Sequence, residues 1–135
     1  MDSIDPASLI AAIDACAGVA MVAARGCKVL ASITALETEN LAAVTAGAPA
    51  AVVLALRTHP ADAAVAENGC RALASIAAFD AGRQAAVDAG AIIDIITAMR
   101  THLGVATVAE QGCRVLANIA FFDAGRQAGD RKSVV

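Results

Sequence analysis

"GCRALASIAAFDAGRQ" occupies residues 69–84, and "GCRVLANIAFFDAGRQ" occupies residues 112–127. The second is the first displaced by 43 positions, with three substitutions. A weaker copy, "GCKVLASITALETENL", begins at Gly26, again 43 positions earlier. A constant period in this range marks a chain of stacked structural units, each too small to bury its apolar face alone.

Composition says what kind of unit is stacked. Of the 135 residues, 59% are hydrophobic, yet Trp and Tyr are absent and Phe occurs only at Phe79, Phe121 and Phe122. Ala supplies most of the apolar content. Ala favours helix, whereas strands are rich in β-branched and aromatic residues. The expectation is an all-α chain.

One unit, from Asp80 to Phe122, divides into three helical pieces. The first opens at Asp80, expected as its N-cap, and closes at Gly90, a residue suited to a helix C-terminus. The second, "AIIDIITAMR", carries Ile92, Ile95, Ile96 and Met99 at helical spacing. The third runs from about Val105 to Phe121. Its expected buried stripe is Val108, Ala109, Gly112, Cys113, Leu116, Ile119 and Ala120, a three/four spacing held over several turns. In the preceding unit Glu37 takes the place of Asp80, Gly47 that of Gly90, and Pro49 falls in the first turn of the second helix, where Pro is tolerated. Gly26, Gly69 and Gly112 lie inside the third helices. Glycine there costs up to about 1 kcal/mol relative to Ala, so close approach of a neighbouring helix is expected at each.

The plan of two helices, a "DAGAI" or "TAGAP" junction, and a long third helix ending "LANIA" or "LASIA" resembles the armadillo repeats of importin-α and β-catenin. HEAT repeats are the nearest rival, though their two-helix unit suits the short first helix less well. The resemblance covers nearly the whole chain. It implies a right-handed α-solenoid of about three repeats whose third helices line a concave groove. The expected organisation is a single domain over residues 1–135: a partial repeat 1–36, full repeats 37–79 and 80–122, and an incomplete final helix 123–135. The resemblance implies a non-enzymatic protein–protein interaction module that holds an extended peptide in the groove, with no catalytic residues.

The groove face lies opposite the buried stripe, which places Lys28, Ser32, Arg71, Ser75, Arg114 and Asn118 on it. Family members that clamp peptide backbones carry a Trp and an Asn one turn apart on this helix. Here the Trp place holds Lys28, Arg71 and Arg114, and the Asn place holds Ser32, Ser75 and Asn118. A basic ladder thus replaces the aromatic wall, and an acidic peptide is the expected ligand, as in β-catenin-like binding. Glu67 and Glu110 lie four residues before Arg71 and Arg114, a spacing at which opposite charges pair along a helix. An ordinary solvated face is the competing reading.

Other classes of partner are not expected. The net charge is −3, which argues against nucleic acid, since phosphate binding needs a basic face. The charge-free stretch between Glu39 and Arg57 is interrupted by Gly47 and Pro49 and falls short of the roughly 20 apolar residues of a membrane span. The start "MDSIDPASLI" is acidic where a secretory signal is basic. No membrane partner and a cytoplasmic or nuclear location follow. Cys27, Cys70 and Cys113 recur once per unit without a C-x-x-C spacing, so each is expected as a small residue in a reducing compartment, with no metal and no cofactor. His59 and His102 fall at matching places in the loop before the third helix, without partners nearby in sequence for metal or base chemistry.

The ends suggest a second function: a self-assembling structural element or part of a longer array, interacting through uncapped ends. "DPASLIAAIDA" reads as a second helix with Asp5 capping and Pro6 in first position, so the first unit lacks its opening helix. "FDAGRQA", residues 122–128, begins a new first helix with no unit behind it. Solenoids are usually closed by polar caps. Leu9, Ile10 and Ile13 at one end, and Leu116, Ile119 and Phe122 at the other, are the candidates for self-association. The expected state is a homo-oligomer, with a closed dimer favoured. Ser133 and Val135 also form an S-x-Φ terminus that resembles a PDZ-domain ligand.

Overall fold

The computed structural model describes residues 5–134, and side chains as far as Phe121. Among these residues the chain is all-helical: α1 (Pro6–Ala15), α2 (Ala20–Ile33), α3 (Glu37–Thr45), α4 (Ala48–Thr58), α5 (Ala63–Ile76), α6 (Asp80–Asp88), α7 (Ala91–Thr101) and α8 (Ala106–Val134). The starts of α3, α4 and α5 recur 43 residues later in α6, α7 and α8, and α2 precedes α5 by the same interval. The sequence period is therefore also a period of helix boundaries.

Local chemistry sets several of those boundaries. Asp5 accepts from the Ser8 N–H, with Pro6 in the first turn, and Asp62 accepts from the Val65 N–H. Each bond satisfies a donor that a helix start leaves free. Gly47 and Gly90 take φ of +94° and +77° between the first and second helices of their units, a region that residues with a Cβ rarely enter. Asp80 is not the N-cap of α6. Phe79 occupies that position without a side-chain bond, and Asp80 sits in the first turn, paired with Arg83, where its charge complements the helix dipole.

Like helices pack on like: α5 lies between α2 and α8, α4 between α1 and α7, and α3 against α6. Within each unit the third helix also packs on the second. A Cβ at Gly26 would come within 2.4 Å of Ile13, at Gly69 within 2.8 Å of Leu56, and at Gly112 within 2.6 Å of Met99. The glycines thus admit a large side chain from the neighbouring helix. Leu30, Leu73, Ile76, Ile95, Val65 and Val108 are fully buried and form the centre of the core.

Successive units are also joined by polar bonds. Ser75 donates to the Ala31 carbonyl at 2.9 Å, and Asn118 Nδ2 to the Ala74 carbonyl at 3.3 Å; both bonds span 44 positions. His59 Nε2 meets the Ala17 carbonyl at 2.7 Å, and His102 Nε2 the Pro60 carbonyl at 2.9 Å. A carbonyl only accepts, so each ring carries its proton on Nε2. Arg57 holds Asp94 through two parallel bonds of 3.0 Å. Buried Asn40 directs Nδ2 at three carbonyls, those of Thr34 at 3.0 Å, Ser75 at 3.3 Å and Ile76 at 3.2 Å. It thereby serves the C-terminal ends of α2 and α5 together, where helices leave their last carbonyls unpaired.

Two expectations about the last unit change. The new first helix does not begin at residue 122; α8 runs unbroken from Ala106 to Val134. Nor is the predicted stripe on α8 uniformly buried. Val108 and Ile119 are buried, but Ala109, Cys113 and Ala120 are exposed, and Val115 is buried in their stead. The physical cause is the same. In α5 the corresponding face is covered by α8, and α8 has no helix beyond it among the described residues.

Candidate functional site

The groove candidates separate into two sets. Lys28 and Arg114 are exposed, and Arg71 is half-exposed. These three cations occupy one register on α2, α5 and α8, so the stacking of those helices sets them in a row. Arg71 pairs with Glu67 at 3.1 Å and also donates to Asn68. Among the described residues neither Lys28 nor Arg114 makes an ion pair, and the expected Glu110–Arg114 pair does not form.

The other set is turned to a different use. Ser75 and Asn118 are half-buried, and their polar atoms are bonded to the preceding third helix. Ser32, with no third helix stacked against that flank of α2 among the described residues, stays exposed, and its hydroxyl makes a long 3.4 Å bond to the Lys28 carbonyl. The position expected to bind a peptide backbone therefore joins one layer of helices to the next. Sequence spacing missed this because the partner carbonyl lies 44 residues away. The recurrence of small polar residues at that position was the available signal.

The cavities are open depressions. One of about 230 Å³ is lined by Leu56, Arg57, His59, Pro60, Asp94 and Thr97, among others. Its polar groups are engaged: Arg57 with Asp94, His59 with the Ala17 carbonyl, and Thr97 with the Ile93 carbonyl. None of them forms a nucleophile–base pair. A wider depression of about 420 Å³ lies where α1, α2 and α3 meet, lined by Asp5, Pro6, Ser32, Ile33, Leu36 and Thr38 together with Glu39 and Ala42. Leu36 there is 65% exposed.

The cysteines differ by layer. Cys27 and Cys70 are fully buried, and Cys16 and Cys113 are exposed. Burial pushes the Cys27 thiol up to about 12, with its neighbour Cys70 adding to the effect, and burial alone pushes Cys70 up to about 11. Both remain protonated and unreactive at neutral pH. Among the described residues no cluster of three His, Cys, Asp or Glu side chains is placed to hold a metal. No single helix among them is long and apolar enough to cross a membrane.

The self-association candidates are mostly interior. Ile10, Ile13 and Ile119 are buried, and Leu9 and Leu116 are half-buried. Ile13 is consumed in packing on Gly26. The side chains of Phe122 and Ser133, and Val135 itself, lie outside the described residues, and with them the PDZ-type terminus.

Compared with protein-family models, curated proteins and solved structures, the chain matches none.

Proposed function

We propose that the chain is a right-handed, armadillo-like α-solenoid acting as a non-enzymatic protein–protein interaction module. Its ligand is an extended acidic peptide laid across the third helices. The observation that carries this reading is the row Lys28, Arg71 and Arg114, one cation per stacked helix, with the two outer cations free of ion pairs among the described residues. Packed helices stand about 8–10 Å apart, and an extended peptide advances about 3.3 Å per residue. A carboxylate at every third residue therefore keeps step with the ladder.

The roles are unequal. Lys28 and Arg114 present their full charge to a ligand. Arg71 must share its guanidinium with Glu67, so its contribution is smaller. The recurrence of helix boundaries every 43 residues supports the solenoid, and the absence of a nucleophile–base pair in the described cavities is compatible with a binding role.

The test is fluorescence anisotropy with a labelled synthetic peptide carrying Glu at every third position, against a scrambled control with its carboxylates clustered. The expected result is salt-sensitive binding of the spaced peptide. It should weaken at least tenfold in Lys28→Glu/Arg114→Glu and less in Arg71→Glu. Equal binding of both peptides, or no change in the double variant, would refute the ladder.

A further inference from the structure

The third helices carry equivalent flanks in different surroundings. On α5 and the residue that follows it, Ala66, Cys70, Ala74 and Ala77 are buried. Their counterparts one unit earlier, Ala23, Cys27 and Thr34, are buried too, and Ala31 is half-buried. One unit later, on α8, Ala109, Cys113, Ala117 and Ala120 are all exposed. The opposite flank shows the reverse. Val65 and Ala72 on α5 and Val108 and Val115 on α8 are fully buried, whereas their counterparts on α2, Val22 and Val29, are 38% exposed and half-buried. Each third helix thus has one flank that receives the helix after it and one that packs on the helix before it. On α8 the first flank is open; on α2 the second is.

We propose that the open flank of α8 in one copy of this chain receives the open flank of α2 in a second copy. The copies then join head to tail, in the register the chain already uses between α2 and α5 and between α5 and α8. This interface stands whether or not the groove takes a peptide.

The register identifies the occupant. Ser75 donates to the carbonyl of Ala31, and Asn118 to that of Ala74. The next step of the same rule puts Ser32 of the second copy on the carbonyl of Ala117. Both residues are exposed, and the Ser32 hydroxyl is held only by its long bond to the Lys28 carbonyl. The second helices agree. Arg57 of α4 grips Asp94 of α7. Arg100, one period after Arg57, is exposed and makes no ion pair among the described residues. In the same register it faces Ser8 of the second copy, which is hydrogen-bonded to the carboxylate of Asp5, so a cation meets an anion at the junction. A closed dimer through like ends has no such match. Two α2 flanks would bring Arg25 and Lys28 against their own copies, and two α8 flanks would set small side chains against small. We therefore favour head-to-tail joining over the symmetric dimer expected from sequence. It closes only if the rotation per copy divides a full turn, and otherwise grows.

End-blocking variants test this. Val22→Asp closes only the α2 flank, and Ala117→Asp only the α8 flank. Both positions are exposed, so circular dichroism should match the parent. In sedimentation the parent mass should rise with concentration through the micromolar range. Each variant alone should remain monomeric, and an equimolar mixture should stop at dimers, because each partner retains one competent end. A parent that is monomeric at several hundred micromolar would overturn the proposal. So would a single variant that assembles like the parent, or a mixture that stays monomeric when the parent assembles. A second experiment reads the register directly. Ser32→Cys and Ala117→Cys are made separately in a Cys16→Ser/Cys113→Ser background and treated with a short bis-maleimide. Crosslinks should appear only when the two proteins are mixed. Crosslinking of either one alone would establish a like-ends dimer and overturn the head-to-tail geometry.

Discussion

Asn40→Asp exchanges an amide for a carboxyl of the same shape, and the structure sets the size of the effect. Asn40 is 1% exposed, and its Nδ2 faces the carbonyls of Thr34, Ser75 and Ile76 within 3.3 Å. An ionised carboxylate there would oppose three oxygen atoms with no donor. A buried charge left without its partner costs about 3–5 kcal/mol. The alternative is to take up a proton and keep one donor. Holding a carboxyl of ordinary pKa near 3.9 protonated at pH 7 costs about 1.4 kcal/mol per pH unit, or about 4 kcal/mol. Both routes therefore lead to about 4 kcal/mol at pH 7, a large part of the 5–15 kcal/mol typical of a domain. The sign of the pH dependence follows. The folded-state pKa of the new carboxyl is raised above its unfolded value. Its stability is therefore fully present below about pH 4 and is lost as pH rises through the folded value. Urea unfolding followed by circular dichroism should show the variant about 4 kcal/mol below the parent at pH 7. At pH 4 the gap should close to about 1 kcal/mol, the worth of one lost hydrogen bond. Asn40→Ala should lose about 2 kcal/mol at both pH values. A gap under about 1 kcal/mol at pH 7, or one independent of pH, would show that Asn40 does not join the ends of α2 and α5 in this way.

Three further outcomes are expected. Gly82→Ala should destabilise far more than Gly112→Ala. A Cβ at Gly82 would lie 1.8 Å from the Ile76 carbonyl oxygen, which is backbone, whereas at Gly112 it meets the flexible Met99 side chain and gains about 1 kcal/mol of helix propensity; the reverse order of unfolding midpoints would contradict the packing described. In the cysteines, a thiol reagent should modify two groups quickly, Cys16 and Cys113, and Cys27 and Cys70 only on unfolding. Because burial raises those two thiols to about 12 and 11, stability should fall as pH climbs from about 9 toward 12, and Cys27→Ala/Cys70→Ala should flatten that slope; an unchanged slope would place its origin elsewhere.

The candidate surfaces were legible to different degrees. The cations Lys28, Arg71 and Arg114 recur in the sequence, and their common register follows from helix period alone. That Arg71 pairs with Glu67 while Arg114 does not pair with Glu110 could not be read from a spacing both share. Ser75 and Asn118 stand a turn from the cations, yet they bond across to the preceding helix, because a hydroxyl or amide goes where an unpaired buried carbonyl is. The self-association candidates are the large apolar residues at the two uncapped ends. Large apolar side chains such as Ile10 and Ile13 are drawn into the nearest core first, which leaves the small residues of α8 as the open surface.

What the amino-acid sequence by itself determined is local: helix in place of strand from its Ala content, the 43-residue recurrence, the capping by Asp5, and the glycine junctions at Gly47 and Gly90. These depend on backbone and side-chain atoms a few residues apart. What only the tertiary structure decided is what each copy does with them. "IAAFDAGRQ" at 76–84 leaves one helix and starts another, whereas "IAFFDAGRQ" at 119–127 continues as a single helix. Cys70 is buried, whereas Cys113 is exposed. The segments are nearly identical, so the difference resides in their surroundings: α5 lies under α8, and the carbonyls at its end are collected by Asn40 from a distant part of the chain. The burial of a face depends on the presence of a neighbour, and that neighbour is supplied by packing, not by the residues of the face itself.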